Sequence, residues 1–176
     1  MQKRNISSSG AKYGFPHLKE VPDALKPKCM NQEWDGLEIR SGLKEGRGVF
    51  ATKHFEEGDV ICNYGGTNIP SEVAENDLLP FDDKCNYLVE IFEECQDGWK
   101  NLYVDCSSVK TYGQTLNHSR RHPNVTPDVY ARGPKQIDLI FRALRNVEPN
   151  EQLVWNYGNK FSGVCSCVES CKRCKS

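Results

Sequence analysis

Short stretches of alternating polar and apolar residues recur along the chain, and this period of two is typical of half-buried β-strands. Turn residues separate several of them, such as residues 56–59 (EEGD) and 96–98 (QDG), and the second of these predicts a hairpin. The pattern therefore predicts many short strands rather than a few long elements. The predicted strands are residues 37–40, 48–52, 60–64, 87–92, 102–106, 137–144 and a last one that ends at Tyr157.

Helical signals are few. Pro70 followed by Ser71 and Glu72 is a typical helix start, because proline is tolerated in the first turn and acidic side chains there suit the helix dipole. This helix should end before Pro80. Residues 120–133 are polar and contain prolines, which predicts a loop. Since strands and helices do not alternate, we expect a compact, mainly β domain with one or two short helices.

The size and the cysteines of the chain limit its class and compartment. Its 176 residues are enough for one domain with short arms. No apolar run approaches the roughly 18 residues of a membrane span, and Met1–Gly10 lacks the apolar segment of a secretory signal. The nine cysteines are odd in number and mostly scattered, which favours reduced thiols in the nucleus or cytosol over a disulfide framework.

The net charge of −1 conceals an uneven distribution along the chain. Residues 1–28 carry six Lys or Arg and two Asp or Glu, and residues 159–176 carry four and one. The middle therefore carries 13 basic and 21 acidic side chains, a net charge of −8. Such a field steers basic peptides towards the domain and disfavours nucleic acid. An ordinary acidic surface explains the same charge without a partner.

Three separated motifs are the candidates for a functional site. Residues 45–50 (EGRGVF) lie far upstream of residues 116–119 (LNHS), and residues 151–158 (EQLVWNYG) follow roughly forty residues later. Each motif alone is common, since Asn-His-Ser usually forms a surface turn and a Tyr before a Gly usually ends a strand. Their occurrence together in this order is far more specific than any one of them.

With residues 64–66 (YGG) between them, these motifs resemble the ordered signatures of a SET domain over residues 37–160. SET domains are protein-lysine methyltransferases that use S-adenosylmethionine, and their fold is a set of small curled sheets with a pseudoknot. The spacing most resembles the nucleosomal PR-SET type, which monomethylates a lysine in the tail of the fourth core histone. The resemblance implies residues 29–160 as the SET domain and 161–176 as a cysteine-rich post-SET-like tail, whereas the basic, weakly apolar composition of residues 1–28 predicts a partly disordered arm.

The resemblance implies a cofactor site and a lysine channel. Gly46, Arg47 and Gly48 would present main-chain groups to S-adenosylmethionine, because glycines permit close backbone approach. Asn117 and His118 would contact its amino-acid and adenosine portions. Methyl transfer is an in-line displacement, so both reactants must be held in near-attack geometry. The lysine, with an ordinary pKa of about 10.4, must also lose its proton, which an apolar channel favours.

Aromatic residues would line that channel. Tyr157 matches the catalytic tyrosine of the family and would orient the amine, while Tyr64 would face the cationic methyl donor. Each could instead be a half-buried sheet aromatic with a satisfied hydroxyl. Trp155 stands where the family has Tyr or Phe beside the amine, and its bulk predicts monomethylation. From its position, Phe161 would add an apolar contact to the adenine.

The chain departs from the family pattern at four positions. The first is Trp155. Asn156 replaces a common acidic residue, Thr67 replaces the acidic residue often found after the first Tyr-x-Gly, and Arg120 replaces the usual cysteine after Asn-His-Ser. These departures bear on methylation state and metal ligation. The reaction class rests on the tyrosine and the Asn-His pair, which are present.

Four cysteines in the tail resemble a post-SET zinc segment, since thiolates at close spacing suit tetrahedral Zn²⁺. The usual fourth ligand is missing at position 120, so an all-thiolate site within the tail is one reading and a basic tail with free thiols the other. The candidate ligands are Cys165, Cys167, Cys171 and Cys174.

The sequence thus leaves two main functions and one minor alternative. The first is a nuclear or cytosolic lysine methyltransferase acting on a basic protein, such as a histone tail or a nucleosome, without sequence-specific nucleic-acid binding. The second is a SET-fold module that binds peptide or cofactor without turnover, with Trp155 filling the channel. A zinc-dependent DNA-binding protein is the minor alternative, which the acidic core disfavours.

Overall fold

The computed structural model describes residue 15 and residues 17–74, 87–95, 98–134 and 136–158. Strands dominate these residues, which confirms the predicted mainly β class. The strands are β1 (Lys19–Glu20), β2 (Leu37–Leu43), β3 (Gly46–Ala51), β4 (Val60–Asn63), β5 (Thr67–Ile69), β6 (Leu88–Cys95), β7 (Gly98–Asp105), β8 (Asn117–His118), β9 (Val125–Gly133), β10 (Gln136–Ala143) and β11 (Gln152–Trp155). The helices are α1 (Lys26–Asn31), α2 (Ser71–Val73) and α3 (Tyr112–Thr115).

The strands form small sheets. Their orders are β1-β9-β10-β4, β2-β3-β11-β8 and β5-β7-β6. In the second sheet β11 pairs antiparallel with β3 and parallel with β8, so the last predicted motif lies between the two upstream ones. No helix among the described residues is long and apolar enough to cross a membrane.

The chain divides into two compact units. Unit one takes its described residues from 1–31, 64–110 and 129–139, and unit two takes them from 32–63, 111–128 and 140–176. In unit one, β6 and β7 form the predicted hairpin, and β5 pairs with the other edge of β7. The turn residues 96 and 97 and the predicted helix end before Pro80 lie outside the described residues.

The interior of unit one holds one titratable cluster. The buried carboxylate of Asp138 lies 3.9 Å from Nη1 of Arg132. Burial, with the negative charge of Asp138 adding to it, raises the pKa of the Cys29 thiol to about 12. A thiol with so high a pKa stays protonated at neutral pH and is unreactive. Cys29 is thus a core residue.

Unit two has a core made by the inner faces of its strands. Val49, Phe141 and Leu153 are fully buried there. Asn63 is also fully buried, and its Oδ1 accepts hydrogen bonds from Gln32 Nε2 at 2.7 Å and Trp34 Nε1 at 3.2 Å. A buried amide oxygen with two donors is satisfied, so this cluster stabilises the unit.

One predicted element is contradicted, and the short elements β1, β5, β8, α1 and α3 were not predicted. The loop predicted over residues 120–133 is wrong in its second half, because Val125–Gly133 is a strand. Pro127 misled the prediction, since a proline inside a sheet removes a ladder hydrogen bond. The short β1 pairs only with Tyr130 and Ala131, so the proline stands on a part of β9 that needs no donor towards β1.

Candidate active site

The sheet of unit two brings the upstream and downstream motifs together. Asn117 lies opposite Val154 and His118 opposite Trp155 in the parallel pair of β8 and β11. Helix α3 precedes β8, and its N-cap Thr111 accepts a hydrogen bond from Gln114 N at 3.0 Å. The cap holds the short helix in place ahead of the Asn-His pair.

The glycine-containing strand β3 lies against the Asn-His strand β8 at Gly48. A methyl group at Gly48 would lie 2.6 Å from Gln152 Nε2 and 2.9 Å from Asn117 Nδ2, so only glycine fits there without a shift. Asn117 Nδ2 donates to the carbonyl oxygen of Arg47 at 2.8 Å. That bond fixes the carboxamide of Asn117 against β3. The exposed Arg47 contributes its main chain to the arrangement.

Tyr157 is held at two points by the residues around the Asn-His pair. Its hydroxyl donates to the carbonyl oxygen of Leu116, and its main-chain N–H donates to His118 Nδ1 at 3.0 Å. The rings of His118 and Tyr157 lie 5.1 Å apart between centroids. The phenol of the predicted catalytic tyrosine therefore has a defined direction.

His118 is buried at 2% exposure. Burial lowers the pKa of its imidazole, and the positive charge of Arg120 lowers it further, while a main-chain hydrogen bond with Trp155 acts in the opposite direction. Because Nδ1 accepts from Tyr157, a neutral imidazole carries its proton on Nε2. The ring is therefore neutral at physiological pH.

Trp155 packs between two aromatic rings. Its indole lies 4.8 Å from the ring of Tyr157 and meets Phe141 edge-on at 5.1 Å. The side chain is 8% exposed, and Nε1 has no hydrogen-bond partner among the described residues. An unpaired buried donor is costly, so it marks a position where a ligand atom or a water molecule would be stabilised.

Tyr64 belongs to unit one. It is 4% exposed, and its hydroxyl donates to the carbonyl oxygen of Tyr87 at 2.8 Å. Its main-chain N–H donates to Leu139 O at 2.8 Å, and its carbonyl accepts from Cys106 Sγ at 3.2 Å. These bonds anchor Tyr64 within its unit. Its predicted catalytic role stays a prediction.

The other predicted site residues fall in the C-terminal segment. Phe161 and the four tail cysteines (Cys165, Cys167, Cys171 and Cys174) lie outside the described residues. In the part of the chain that is described, no group of three or more His, Cys, Asp or Glu side chains could hold a metal ion. The zinc site therefore also stays a prediction.

Sequence reasoning missed Asn124, whose side chain forms hydrogen bonds with β11 and the residue before it. Its Nδ2 donates to Gln152 O at 2.8 Å and to Glu151 Oε1 at 3.0 Å, and its Oδ1 accepts from Val154 N at 2.8 Å. An asparagine after a proline in a polar stretch reads as a turn residue, so composition gave no signal. The 1% exposure of Asn124 reflects its role as a tie between two segments.

The sheet of unit two brings together the glycine-containing strand β3, the Asn-His pair and the strand that leads to Tyr157. These are the same motifs, in the same order along the chain, that stood out in the sequence. The chain belongs to the SET-domain family, whose model matches residues 46–158.

Known proteins agree with this assignment. The chain is 27% identical over 139 residues to histone-lysine N-methyltransferase Set8 of Drosophila melanogaster, covering 77% of this chain and 19% of Set8. It is 25% identical over 169 residues to the variant-silencing SET domain-containing protein of Plasmodium falciparum (isolate 3D7), covering 89% of this chain and 6% of that protein. The chain thus spans less than a fifth of the length of either relative.

A solved structure supports the fold. The crystal structure of KRYPTONITE in complex with mCHG DNA and SAH matches with a TM-score of 0.54 at 21% identity, covering 73% of this chain and 24% of that one. At this identity the likeness concerns the fold alone.

Proposed function

We propose that this chain is a lysine monomethyltransferase that uses S-adenosylmethionine and acts on a basic protein, with a histone tail as the substrate. The observation that carries the proposal is the attachment of Tyr157 to both Leu116 and His118, next to Trp155. A phenol fixed in this way can orient a lysine amine, which methyl transfer requires. The membership of the SET-domain family supports the reaction class.

The residues around β3 fit the cofactor. Gly48 is buried, and a side chain there would collide with Asn117 and Gln152, so this glycine lets the side chain of Asn117 pack closely against β3. The bond from Asn117 Nδ2 to Arg47 O leaves Oδ1 as the atom that would accept from the ammonium of an amino-acid portion. S-adenosylmethionine supplies, when bound, a methyl group on a positively charged sulfur.

The aromatic residues would prepare the lysine. Apolar walls disfavour the ammonium form, so they lower the pKa of the substrate amine. The hydroxyl of Tyr157 would then hold the neutral amine in line with the methyl group. The role that the sequence predicts for Tyr64 would depend on its aromatic face alone, since its hydroxyl is bonded to Tyr87.

Trp155 supports monomethylation as the product state. Indole is larger than phenol and brings a donor, Nε1, that is buried and unpartnered within the described part of the chain. A water molecule accepting from this donor would occupy volume that a second methyl group needs. The bulk and the donor together favour release of monomethyllysine.

The charge of the chain and its family support a proposal for the substrate and the cellular compartment. The central −8 charge would draw basic tails towards the site, and histone tails or nucleosomes are the substrates we propose. A histone methyltransferase acts in the nucleus, so we place the protein there, in a chromatin-regulating role. Similarity to Set8, a histone-lysine methyltransferase by name, supports this choice.

The four tail cysteines have the donor chemistry of a structural zinc site. We propose that they bind one zinc ion, and that Phe161 next to them contacts the adenine. Metal analysis of freshly purified, reduced protein should find one zinc per chain. Mutation of Cys171 and Cys174 to serine should remove it and weaken S-adenosylhomocysteine binding, whereas zinc-free wild-type protein would refute the site.

A second function, cofactor or peptide binding without turnover, is favoured by one observation. The indole of Trp155 lies only 4.8 Å from the ring of Tyr157, so it could crowd the amine itself. A protein of this kind would bind S-adenosylhomocysteine and basic peptides but transfer no methyl group.

A labelled-methyl assay separates the two functions. The protein is incubated with methyl-labelled S-adenosylmethionine and, in separate reactions, nucleosomes, free core histones and an acidic control protein. We expect label in histones only. Calorimetry with S-adenosylhomocysteine runs alongside, so that binding without label identifies a binding module, and neither binding nor label refutes the cofactor site.

A further inference from the structure

The imidazole of His118 contacts the chain that carries Tyr157. Strand β11 ends at Trp155, and the last main-chain link across the parallel pair runs from Ser119 N to Trp155 O at 2.9 Å. Tyr157 lies beyond that link. Its amide is instead bonded to a side-chain atom, His118 Nδ1, at 3.0 Å. The imidazole of His118 therefore holds the main chain at Tyr157, two residues past the end of β11.

We propose that the His118 side chain is a positioning residue that acts on catalysis through Tyr157 rather than through a contact with the cofactor. The inference rests on the proposed methyltransferase function. It reassigns the imidazole only; main-chain atoms of His118 remain candidates for the cofactor contact predicted from the sequence.

The geometry explains why one bond matters. The hydroxyl of Tyr157 is anchored at Leu116 O and the amide at His118 Nδ1, so both acceptors come from one three-residue segment of chain. A tyrosine residue held at its hydroxyl and at its main-chain amide keeps its phenol oxygen at a fixed place. If the amide end is released, the backbone after Trp155 gains freedom and the ring follows it. A misplacement of about 1 Å at a reacting centre costs roughly a hundredfold in rate.

The bond exists only while Nδ1 is unprotonated. The groups that act on the imidazole are the cationic Arg120, the Trp155 main chain and the neighbouring Tyr157 ring. Burial and Arg120 lower the pKa of His118, so the acceptor persists to more acidic pH than an ordinary histidine would allow. As pH falls through that lowered pKa, Nδ1 gains a proton, the bond is lost, and turnover should fall with it.

Two substitutions of similar size separate the acceptor from the ring. In His118→Asn the amide Oδ1 takes nearly the place of Nδ1, whereas His118→Leu fills similar space without an acceptor. We expect kcat to fall at least about tenfold in His118→Leu and to stay within about threefold of wild type in His118→Asn. The affinity for S-adenosylhomocysteine should stay within about twofold in both. The acid limb of the kcat profile should disappear in His118→Asn, which has no titrating imidazole.

A measurement without turnover tests the attachment itself. Hydrogen exchange by NMR should show the Tyr157 amide protected in the wild type and in His118→Asn, and unprotected in His118→Leu. Thermal unfolding of both variants confirms that they are folded. Equal protection in a folded His118→Leu would overturn the proposal, as would a loss of cofactor affinity with unchanged kcat.

Failure of the inference differs from failure of the proposed function. Wild-type protein that methylates no basic substrate refutes the function and with it the catalytic role of His118, whatever the exchange data show. Wild-type turnover that His118→Leu retains in full refutes the positioning role alone.

Discussion

Tyr64 and Tyr157 offer a comparison between two regions of the molecule. Both phenols donate to a main-chain carbonyl, Tyr64 to Tyr87 and Tyr157 to Leu116. Tyr64 is buried at 4% exposure, and its amide and carbonyl are bonded as well, as in an ordinary core residue. The half-buried Tyr157 instead has its amide on the imidazole of His118 and its ring against Trp155.

The difference teaches that a satisfied hydroxyl alone does not decide whether a tyrosine has the proposed catalytic role. What separates the two regions is the origin of the partners. The partners of Tyr157 come from the Leu116–His118 segment, which also bears the candidate cofactor residue Asn117. The partners of Tyr64 are Tyr87, Leu139 and Cys106, none of which is a predicted site residue.

The largest expected effect comes from removing each hydroxyl in turn. Tyr157→Phe should lower turnover about a hundredfold, because the amine loses the group that orients it. The affinity for S-adenosylhomocysteine should be nearly unchanged, since the ring remains. Tyr64→Phe, the matched control, should lower turnover far less and cost about 1 kcal/mol of stability through the lost bond to Tyr87. Initial rates and thermal unfolding of both variants test this. Equal losses of turnover in the two variants would contradict the difference in role between Tyr157 and Tyr64.

The next effect concerns Gly48 of strand β3, which lies against Asn117. In Gly48→Ala the new methyl group would lie 2.6 Å from Gln152 Nε2 and 2.9 Å from Asn117 Nδ2, so the bond from Asn117 to Arg47 must shift. We expect S-adenosylhomocysteine to bind about tenfold more weakly, a change of about 1.4 kcal/mol. Gly133→Ala is the control, since its nearest contact would be Gln136 Oε1 at 3.4 Å. Calorimetry that finds wild-type affinity in a folded Gly48→Ala would remove Gly48 from the site.

A third effect concerns the product rather than the rate. Trp155→Phe removes both the bulk and the indole N–H, which has no partner among the described residues, so dimethyllysine should appear alongside monomethyllysine. Mass spectrometry over a long time course measures the product distribution. Trimethyllysine from the wild-type protein would defeat the role assigned to Trp155.

The smallest effect is on stability and its pH dependence. The side-chain hydrogen bond from Arg145 lowers the pKa of Glu151, and Asn124 adds to this. Because the folded-state pKa is depressed, the stabilisation is present above the unfolded-state pKa of about 4.3 and is lost as pH falls through the folded value. Glu151→Gln should cost about 1 kcal/mol at pH 7, since the pair is partly exposed. Chemical denaturation at pH 7 and pH 3 should find that difference shrinking with acid, and a constant difference would contradict the role of charge.

Sequence patterns predicted much of the fold because strands with one buried face alternate in polarity. The hairpin of β6 and β7 and the strands β3, β4 and β10 lie close to their predicted places. Strand β9 was missed because Pro127 suggested a loop, whereas towards β1 the proline costs no hydrogen bond because β1 pairs only with Tyr130 and Ala131. Such tolerance depends on neighbours that are distant in sequence.

The members of the candidate site were named from the sequence, but their contacts could not be predicted from it. Family resemblance selected Gly48, Asn117 and Tyr157, although no local rule places residues 48 and 117 against each other. The acceptor role of His118 Nδ1 depends on where Tyr157 lies after β11 ends, which is a tertiary property. Asn124 was overlooked for the same reason, since its three side-chain bonds reach Glu151, Gln152 and Val154, more than twenty-five residues away.

The central claim is that this chain places a single methyl group on a lysine of a histone. Tandem mass spectrometry of nucleosomes after incubation with S-adenosylmethionine tests it most directly, with Tyr157→Phe protein as the matched control. We predict monomethylation confined to lysine in a histone tail, accumulating with wild-type protein and nearly absent with Tyr157→Phe. Unmodified lysines in the presence of protein that binds S-adenosylhomocysteine, or equal methylation by the two proteins, would contradict the account.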